Sequence, residues 1–136
     1  MAETPKILSG GGPEVPNGEG DPPVQAYIAA LPGWRVDICR RLDRILTVNV
    51  SAVRKAVKWA APIYGAPLGR SWFLSITAYE NFVRVAFFDG LMLRPRPPGT
   101  SKIGAVRYYD IPEGGFDEAQ FADWVQQAAR LPGWTP

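Results

Sequence analysis

Three stretches of the chain repeat apolar residues every three or four positions, which is the spacing of one side of an α-helix. A shorter helix is predicted from Asp21 to Leu31, because an acidic side chain followed by two prolines suits a first helical turn. A third is predicted after Asp117, which forms a capping-box-like start with Gln120. The clearest is residues 33–48, and its apolar positions are Val36, Cys39, Leu42, Ile45 and Leu46.

Residues 50–111 instead alternate apolar and polar positions, which is the period of a β-strand. Glu80-Asn81 and Asp89-Gly90 have the composition of tight hairpin turns. Strands joined by short turns pair antiparallel. Strands are predicted at 53–59, 72–78, 82–88 and 105–111. A bend at Pro62 is expected to join the first of these to a further short strand.

The order of these elements predicts the fold class. It is α+β, a two-layer sandwich in which an antiparallel sheet of about five strands is covered on one face by the N-terminal and C-terminal helices. Residues 1–21 are rich in proline and glycine and are predicted to be a tail that is disordered or loosely draped over the domain, because they offer little apolar surface to bury. Residues 22–136 are predicted to form a single domain.

The amino-acid composition limits the kinds of catalysis and metal binding that this chain could perform. The 136 residues contain no histidine, which removes histidine-activated nucleophiles, histidine acid–base catalysis and most zinc and copper sites. Cys39 is the only cysteine and lies among apolar residues, so we expect a buried thiol in a reducing compartment. With no secretory leader pattern and no long apolar run, a cytoplasmic protein without a membrane partner is predicted.

A first candidate site surrounds the bend near Pro62. Lys58, Trp59 and Tyr64 lie close to this proline and could line a pocket for an anionic small molecule or a protein partner. Two further basic residues are predicted to contribute to the same binding site: Lys102 in the proline-rich loop 94–102, and Arg107 just after that loop. A buried Lys58 could also act as a Schiff-base nucleophile, which would make the chain an enzyme. The alternative is structural, with the aromatic rings in the core and Lys58 at the surface.

A second candidate site is a cluster of acidic residues between positions 110 and 118. Carboxylate oxygens so close together in the sequence suit a hard cation such as iron(III). The alternative is that the acids at 117 and 118 favour the start of the last helix, and that the acid at 113 lies in a turn. The four predicted metal ligands are Asp110, Glu113, Asp117 and Glu118.

Basic residues are spread over every predicted element, and the net charge is +2. Nucleic-acid binding proteins usually concentrate such residues in one patch or in a motif with defined spacing. We therefore expect a solvated basic surface, and nucleic acid is not a predicted partner.

Several segments resemble the bacterial YdhG-like family. They include Tyr27-Ile28-Ala29-Ala30-Leu31-Pro32, the Lys58-Trp59-x-x-Pro62-x-Tyr64 bend and the hairpin ending Phe87-Phe88-x-Gly90. The closing strand 106–111 and the helix leading to Leu131-Pro132-Gly133-Trp134 are similar to one branch of that family. The resemblance covers residues 22–134.

This resemblance implies a frataxin-like α/β sandwich, and some members are described as intracellular iron chaperones that supply iron–sulfur cluster or haem assembly. In frataxins the iron sites are an acidic ridge on the first long helix and the adjoining strand edge. Here that helix has two acids, Asp37 and Asp43, beside four arginines. The expected function is binding or carrying, with iron as the cargo that the resemblance implies. A homodimer is expected if the uncovered sheet face exposes aromatic residues.

Overall fold

A computed structural model describes residues 5–8 and 11–136 of the chain; the parts of the predicted tail at 1–4 and 9–10 lie outside the described residues. The helices are α1 (Asp21–Ala29), α2 (Arg35–Asn49) and α3 (Glu118–Ala128). The strands are β1 (Gly18–Glu19), β2 (Arg54–Lys58), β3 (Ala61–Gly65), β4 (Leu74–Ala78), β5 (Val83–Phe87), β6 (Gly99–Thr100) and β7 (Arg107–Ile111).

The strands form one antiparallel sheet in the order β1-β2-β3-β4-β5-β7-β6. The predicted α+β class with an antiparallel sheet is confirmed, but the sheet has seven strands among the described residues rather than about five. The two additional strands, β1 and β6, are two-residue edge strands. Two residues are too few to show a period in the sequence, so only the partner strand's unpaired backbone groups define them.

Part of the predicted tail lies against the folded domain in the residues described. Leu8 is buried in the main core, and β1 pairs with β2. The backbone N–H of Gly20 donates to the carbonyl of Lys55 at 2.7 Å, and that of Glu80 donates to Lys6 at 2.9 Å. These contacts satisfy edge groups of the folded domain, which the composition of the segment could not reveal.

Two predicted local features are corrected. Asp89-Gly90 does not close a hairpin; a 3₁₀ turn at Gly90–Met92 begins there, and β5 reaches its partner β7 only after the long connection that contains β6. Asp21 does not cap α1, because it already lies in the first helical turn. The cap at Asp117 is confirmed, since its side chain accepts a hydrogen bond from the Gln120 N–H at 3.0 Å.

The helices cover one face of the sheet, as the fold prediction required. The apolar sides of α2 and α3 form the main core with the inward residues of β4 and β5. The core includes Leu42, Leu46, Leu74, Ile76, Val85, Phe87, Phe121 and Val125. The other sheet face, which we call the open face, has no helix over it in the described structure. In that same part of the chain, no helix has both the length and the apolar character needed to span a bilayer.

A partly buried polar network joins the helices to the first strands of the sheet. The Asp43 carboxylate accepts from the Tyr64 hydroxyl at 2.9 Å and from the Gln25 amide at 3.0 Å, and its Oδ1 lies 2.9 Å from Lys55 Nζ. Asp21 also accepts from Lys55 at 2.9 Å. The helical pattern predicts that Asp43 faces solvent, whereas it lies between the two layers. Pairing with several donors offsets the cost of removing its charge from water.

Arg35, which the sequence places among the solvated basic residues, is also buried. Its guanidinium donates to the carbonyl of Tyr79 at 2.9 Å and to that of Pro32 at 3.0 Å, and it donates to the Glu80 carbonyl as well. These bonds attach the start of α2 to the turn between β4 and β5. A planar guanidinium with several donors suits such a cluster of carbonyls.

Three weak acids are held in their neutral form inside this core. Burial raises the pKa of Tyr27 to about 12 and that of the Cys39 thiol to about 12. Burial first, and then the neighbouring Asp43 carboxylate, raises the pKa of Tyr64 well above its usual value. In the unfolded chain these groups ionise near pH 8.5–10. Their contribution to stability is therefore complete below those values and is lost as the pH rises toward the folded pKa values.

We expect the free energy of unfolding to fall steeply above about pH 9, by about 1.4 kcal/mol per pH unit for each group that ionises only in the unfolded chain. Urea unfolding at a series of pH values from 7 to 11 measures this slope. Tyr27→Phe should lower stability at pH 7, because the Tyr27 hydroxyl accepts from the Ala78 N–H at 3.3 Å. It should nevertheless lose less stability at high pH than the unchanged protein; an equal or larger alkaline loss would contradict this account.

Candidate binding groove on the open face of the sheet

The open face contains a groove of about 560 Å³, within the size range of small-molecule sites. Its floor crosses three central strands, where Ile63 pairs with Ser75 and Ser75 pairs with Ala86. Thr77 and Ala61 extend the floor toward one end. Because most of these side chains are small, the floor is lower than its surroundings. The groove therefore follows from small outward residues on neighbouring strands.

One wall begins at the turn between β2 and β3. Trp59 and Ala60 have φ values of +52° and +61°, so both central residues of this turn are left-handed without being glycine. This conformation matches the twist of a two-residue hairpin but costs about 1–2 kcal/mol for each residue that has a side chain. The Trp59 side chain lies on the rim of the groove and is 60% exposed.

The rest of this wall is Gly133 and Trp134, which belong to residues 131–136, here called the closing segment. Trp134 and Trp72 exchange two backbone hydrogen bonds of 2.8 Å. The N–H of Gly133 donates to Asp89 Oδ2 at 2.7 Å. Gly133 has φ +75°, and a Cβ there would lie 2.7 Å from the Trp72 carbonyl oxygen, so this close approach requires glycine. The Trp134 ring contacts Phe88 edge to face at 5.6 Å between centroids.

Trp59 and Trp134 form a continuous aromatic wall. Their rings meet edge to face with 5.4 Å between centroids. Trp134 remains 43% exposed even with these neighbours. The two indoles therefore support one another and still present aromatic surface to the groove.

The opposite wall is the connection that enters β7. It consists of Ile103, Gly104, Ala105 and Val106, followed by the ring of Tyr108. The Val106 N–H donates to the carbonyl of Ile103 at 3.0 Å, which closes a tight turn. Ile103 is 68% exposed. This wall is thus apolar along its length, like the wall that faces it.

The charged residues that line the groove are Lys58, the last residue of β2, and Asp89, which follows β5. Lys58 Nζ is 3.1 Å from Glu19 Oε1 and 5.9 Å from the centroid of the Trp72 ring. The Lys58 side chain is 34% exposed, whereas its partner Glu19 is 72% exposed. Asp89 is already bonded to the closing segment, so Lys58 is the charge more available to a ligand.

The structure brings together only part of the first predicted site. Lys58 and Trp59 line the groove, and the exposed Trp59 ring does not fit the structural alternative in which it lies in the core. Pro62 and Tyr64 lie on the helix-covered side of β3, where the Tyr64 hydroxyl bonds Asp43. Lys58 pairs with Ala61, so these two residues share the groove side of the sheet. Pro62 and Tyr64 lie one and three positions after Ala61, and strand alternation therefore directs them to the opposite face.

The other two basic residues of the predicted site, Lys102 in the proline-rich loop and Arg107 on β7, also lie outside the groove. Lys102 is exposed and precedes the lining residue Ile103. Arg107 donates to the carbonyl of Pro97 at 2.8 Å, so it holds the loop rather than facing the groove. The predicted set is therefore divided between two faces of the sheet and a surface loop.

The four predicted metal ligands do not converge. Asp110 accepts two bonds from Arg84, at 2.8 and 3.0 Å, on the open face. Glu118 pairs with Arg41 at 2.6 Å, and Asp117 caps α3. Glu113 is exposed in the preceding turn. Across residues 5–8 and 11–136, no group of three or more acidic, cysteine or histidine side chains is placed to hold a metal ion.

Several groove residues were missed by sequence reasoning. Ser75, Thr77 and Ala86 are outward positions of strands that the period identified correctly. Small side chains at outward positions of adjacent strands are a signal for a concave face, and this signal was present. By contrast, Trp134 reaches the groove through a long-range backbone pairing that no local pattern indicates.

Comparisons with protein-family models, with curated proteins and with solved structures find no match to this chain.

The left-handed turn at the groove makes a stability prediction. Ala60→Gly should raise the free energy of unfolding by about 0.5–1 kcal/mol, because glycine adopts a positive φ without the steric cost of a Cβ. The urea midpoint measures the change. Ala26→Gly is the matched control, since Ala26 is exposed in the interior of α1 and should lose about that much stability on substitution. Destabilisation by both glycines would contradict the strain assigned to the turn.

Proposed function

We propose that this chain is a binding or carrier protein that holds a small, largely apolar molecule in the groove on its open sheet face. The proposal rests on one observation above all, the exposed Trp59 ring on a turn whose two central residues both have positive φ. Non-glycine residues in such conformations concentrate at functional sites, where the cost is retained because the side chain is needed there. Here the conformation places an indole at the rim of a groove.

The surroundings of Trp59 support a ligand rather than a purely structural role. A second indole, Phe88 and Ile103 line the same groove, and mainly apolar walls with a few polar groups are the usual composition of small-molecule sites. The hydroxyls of Ser75 and Thr77 add polar atoms to the floor. A solvated sheet face with no binding role would be expected to have more charged residues at its centre.

The structure of the groove also bears on the other predicted functions, which are a lysine-dependent enzyme and a homodimer. Lys58 pairs with Glu19 and is partly exposed, an arrangement that favours a binding cation over a Schiff-base nucleophile. Exposed Trp59, Trp134 and Ile103 also suit self-association, so a homodimer through the open face is the second candidate. Membership of the YdhG-like family and a frataxin-like arrangement remain proposals that rest on the sequence motifs.

The neutral fluorescent probe N-phenyl-1-naphthylamine tests the groove directly. We expect saturable binding at micromolar concentrations, with enhanced probe fluorescence and energy transfer from tryptophan. Ala86→Leu should weaken binding about tenfold or more, because the larger side chain fills the floor between Ser75 and Tyr108.

Ala26→Leu makes the same substitution at an exposed position of α1 and should leave probe affinity unchanged. Unchanged melting temperatures would show that both variants are folded. Absence of saturable binding to the unchanged protein, or equal affinity in the Ala86 variant, would overturn the proposal. Sedimentation analysis over the same concentrations separates the homodimer, which would show a larger mass that the Ala86 substitution lowers.

Iron handling, which the family resemblance implies, stays a separate prediction. Calorimetric titration with ferrous and ferric iron tests it, with the double variant Asp117→Asn/Glu118→Gln as the comparison. Saturable micromolar binding that this variant loses would support iron as a cargo. Binding that is absent, or unchanged in the variant, would remove the predicted acidic site.

A further inference from the structure

We propose that the ligand of the groove is a planar aromatic anion, with its ring system between the two walls and its acidic group at Lys58. This inference rests on the proposed function and adds the chemical class of the ligand. It uses the shape of the groove and the different surroundings of the two charged residues that line it.

The shape of the groove favours a flat molecule. Its floor is a row of paired residues on central strands, and Ser75 and Ala86 project little from the sheet. The walls are Trp59 and Trp134 on one side and Ile103 and Tyr108 on the other. Aromatic rings stack or meet edge to face with a gain beyond their buried area. A planar ring can lie on such a floor while contacting the exposed indole surface.

The charges favour an anion because the acidic lining residue is already occupied. Asp89 Oδ2 accepts the Gly133 N–H at 2.7 Å, and that bond holds the closing segment in place. A ligand cation at Asp89 would have to compete with this bond. The Asp89 carboxylate therefore stabilises the wall of the groove and is not free to bind a ligand.

Lys58, in contrast, has a partner that a ligand can replace. Glu19 lies on the two-residue edge strand β1 and is 72% exposed, so their ion pair is largely in solvent and contributes little. A ligand acid in the groove would meet the same ammonium in less polar surroundings, where a charge pair is stronger. Thr77 also lines the groove, and its hydroxyl is a further donor available to an acidic ligand.

A pair of probes separates the ring from the charge. 1-Anilinonaphthalene-8-sulfonate is N-phenyl-1-naphthylamine with an added sulfonate, so the two differ in one anionic group. We expect the sulfonate to bind the unchanged protein about fivefold more tightly than the neutral probe at low salt, with an advantage that shrinks as salt is added. Fluorescence titration at fixed protein concentration gives both dissociation constants.

Lys58→Gln should weaken sulfonate binding about fivefold and leave the neutral probe within twofold. Glu19→Gln should have the opposite effect, strengthening sulfonate binding about twofold, because Lys58 then loses its competing partner. Trp59→Asn should weaken both probes, since asparagine accepts the left-handed turn but provides no ring. Lys102→Gln is the matched control, because Lys102 is exposed outside the groove and should affect neither probe.

The outcomes distinguish this inference from the proposed function. If neither probe binds the unchanged protein, both proposals are overturned. If both probes bind with equal affinity, or Lys58→Gln affects them equally, the groove binds ligands but the anion inference is wrong. If Lys102→Gln has the effect expected of Lys58→Gln, the preference comes from overall charge, and the inference again fails. Melting temperatures within a few degrees of the unchanged protein establish that the variants are folded.

Discussion

The Asp43 carboxylate lies between the helices and the sheet, and the placement of the first two long strands depends on it. It accepts from Tyr64 on β3 and Gln25 on α1 and pairs with Lys55 on β2. A buried charge of this kind is unfavourable unless each of its oxygens has a partner. The network therefore restricts how the β2–β3 hairpin can sit beneath the helices. Apolar packing alone would allow small shifts of one layer over the other, whereas this set of hydrogen bonds has one geometry.

Fixing the hairpin on one face determines what it presents on the other. Strand alternation directs Lys55 and Tyr64 to the helices, so Lys58 and Ile63 must face the open side, where they line the groove. The turn between the strands then holds Trp59 against Trp134. The interlayer network and the groove thus share the same two strands. A change in the register of this hairpin would disturb both at once.

The sequence predicts most of what is periodic in this fold and little of what depends on distant pairing. The apolar spacing of α2 and α3 and the alternation of β4 and β5 were sufficient to identify these elements and their covered face. Strands β1 and β6 were missed because their stabilising partners are remote in sequence. The helical pattern places Asp43 and Arg35 at the surface, because it distinguishes polar from apolar residues but cannot show that a polar residue has partners between the layers.

The candidate site, like the fold, is only partly predictable from the sequence. Lys58 and Trp59 were identified because cationic and aromatic residues stood beside a bend, but Tyr64 was included with them although it faces the other layer. The acids at 110, 117 and 118 were grouped by closeness in sequence. The structure separates them because Asp110 lies on a strand of the open face, while Glu118 meets an arginine of α2.

The closing segment gives the groove a way to open without disturbing the sheet. Its backbone pairs with Trp72, and one further hydrogen bond joins Gly133 to Asp89. Separating these few bonds would release Trp134 from this wall, while Trp59 stays on its turn and the strands that form the floor keep their own ladders. Local openings of this size require much less free energy than global unfolding. The entry and exit rates of a bound molecule would then depend on the local release of Gly133 and Trp134, without unfolding of the sheet.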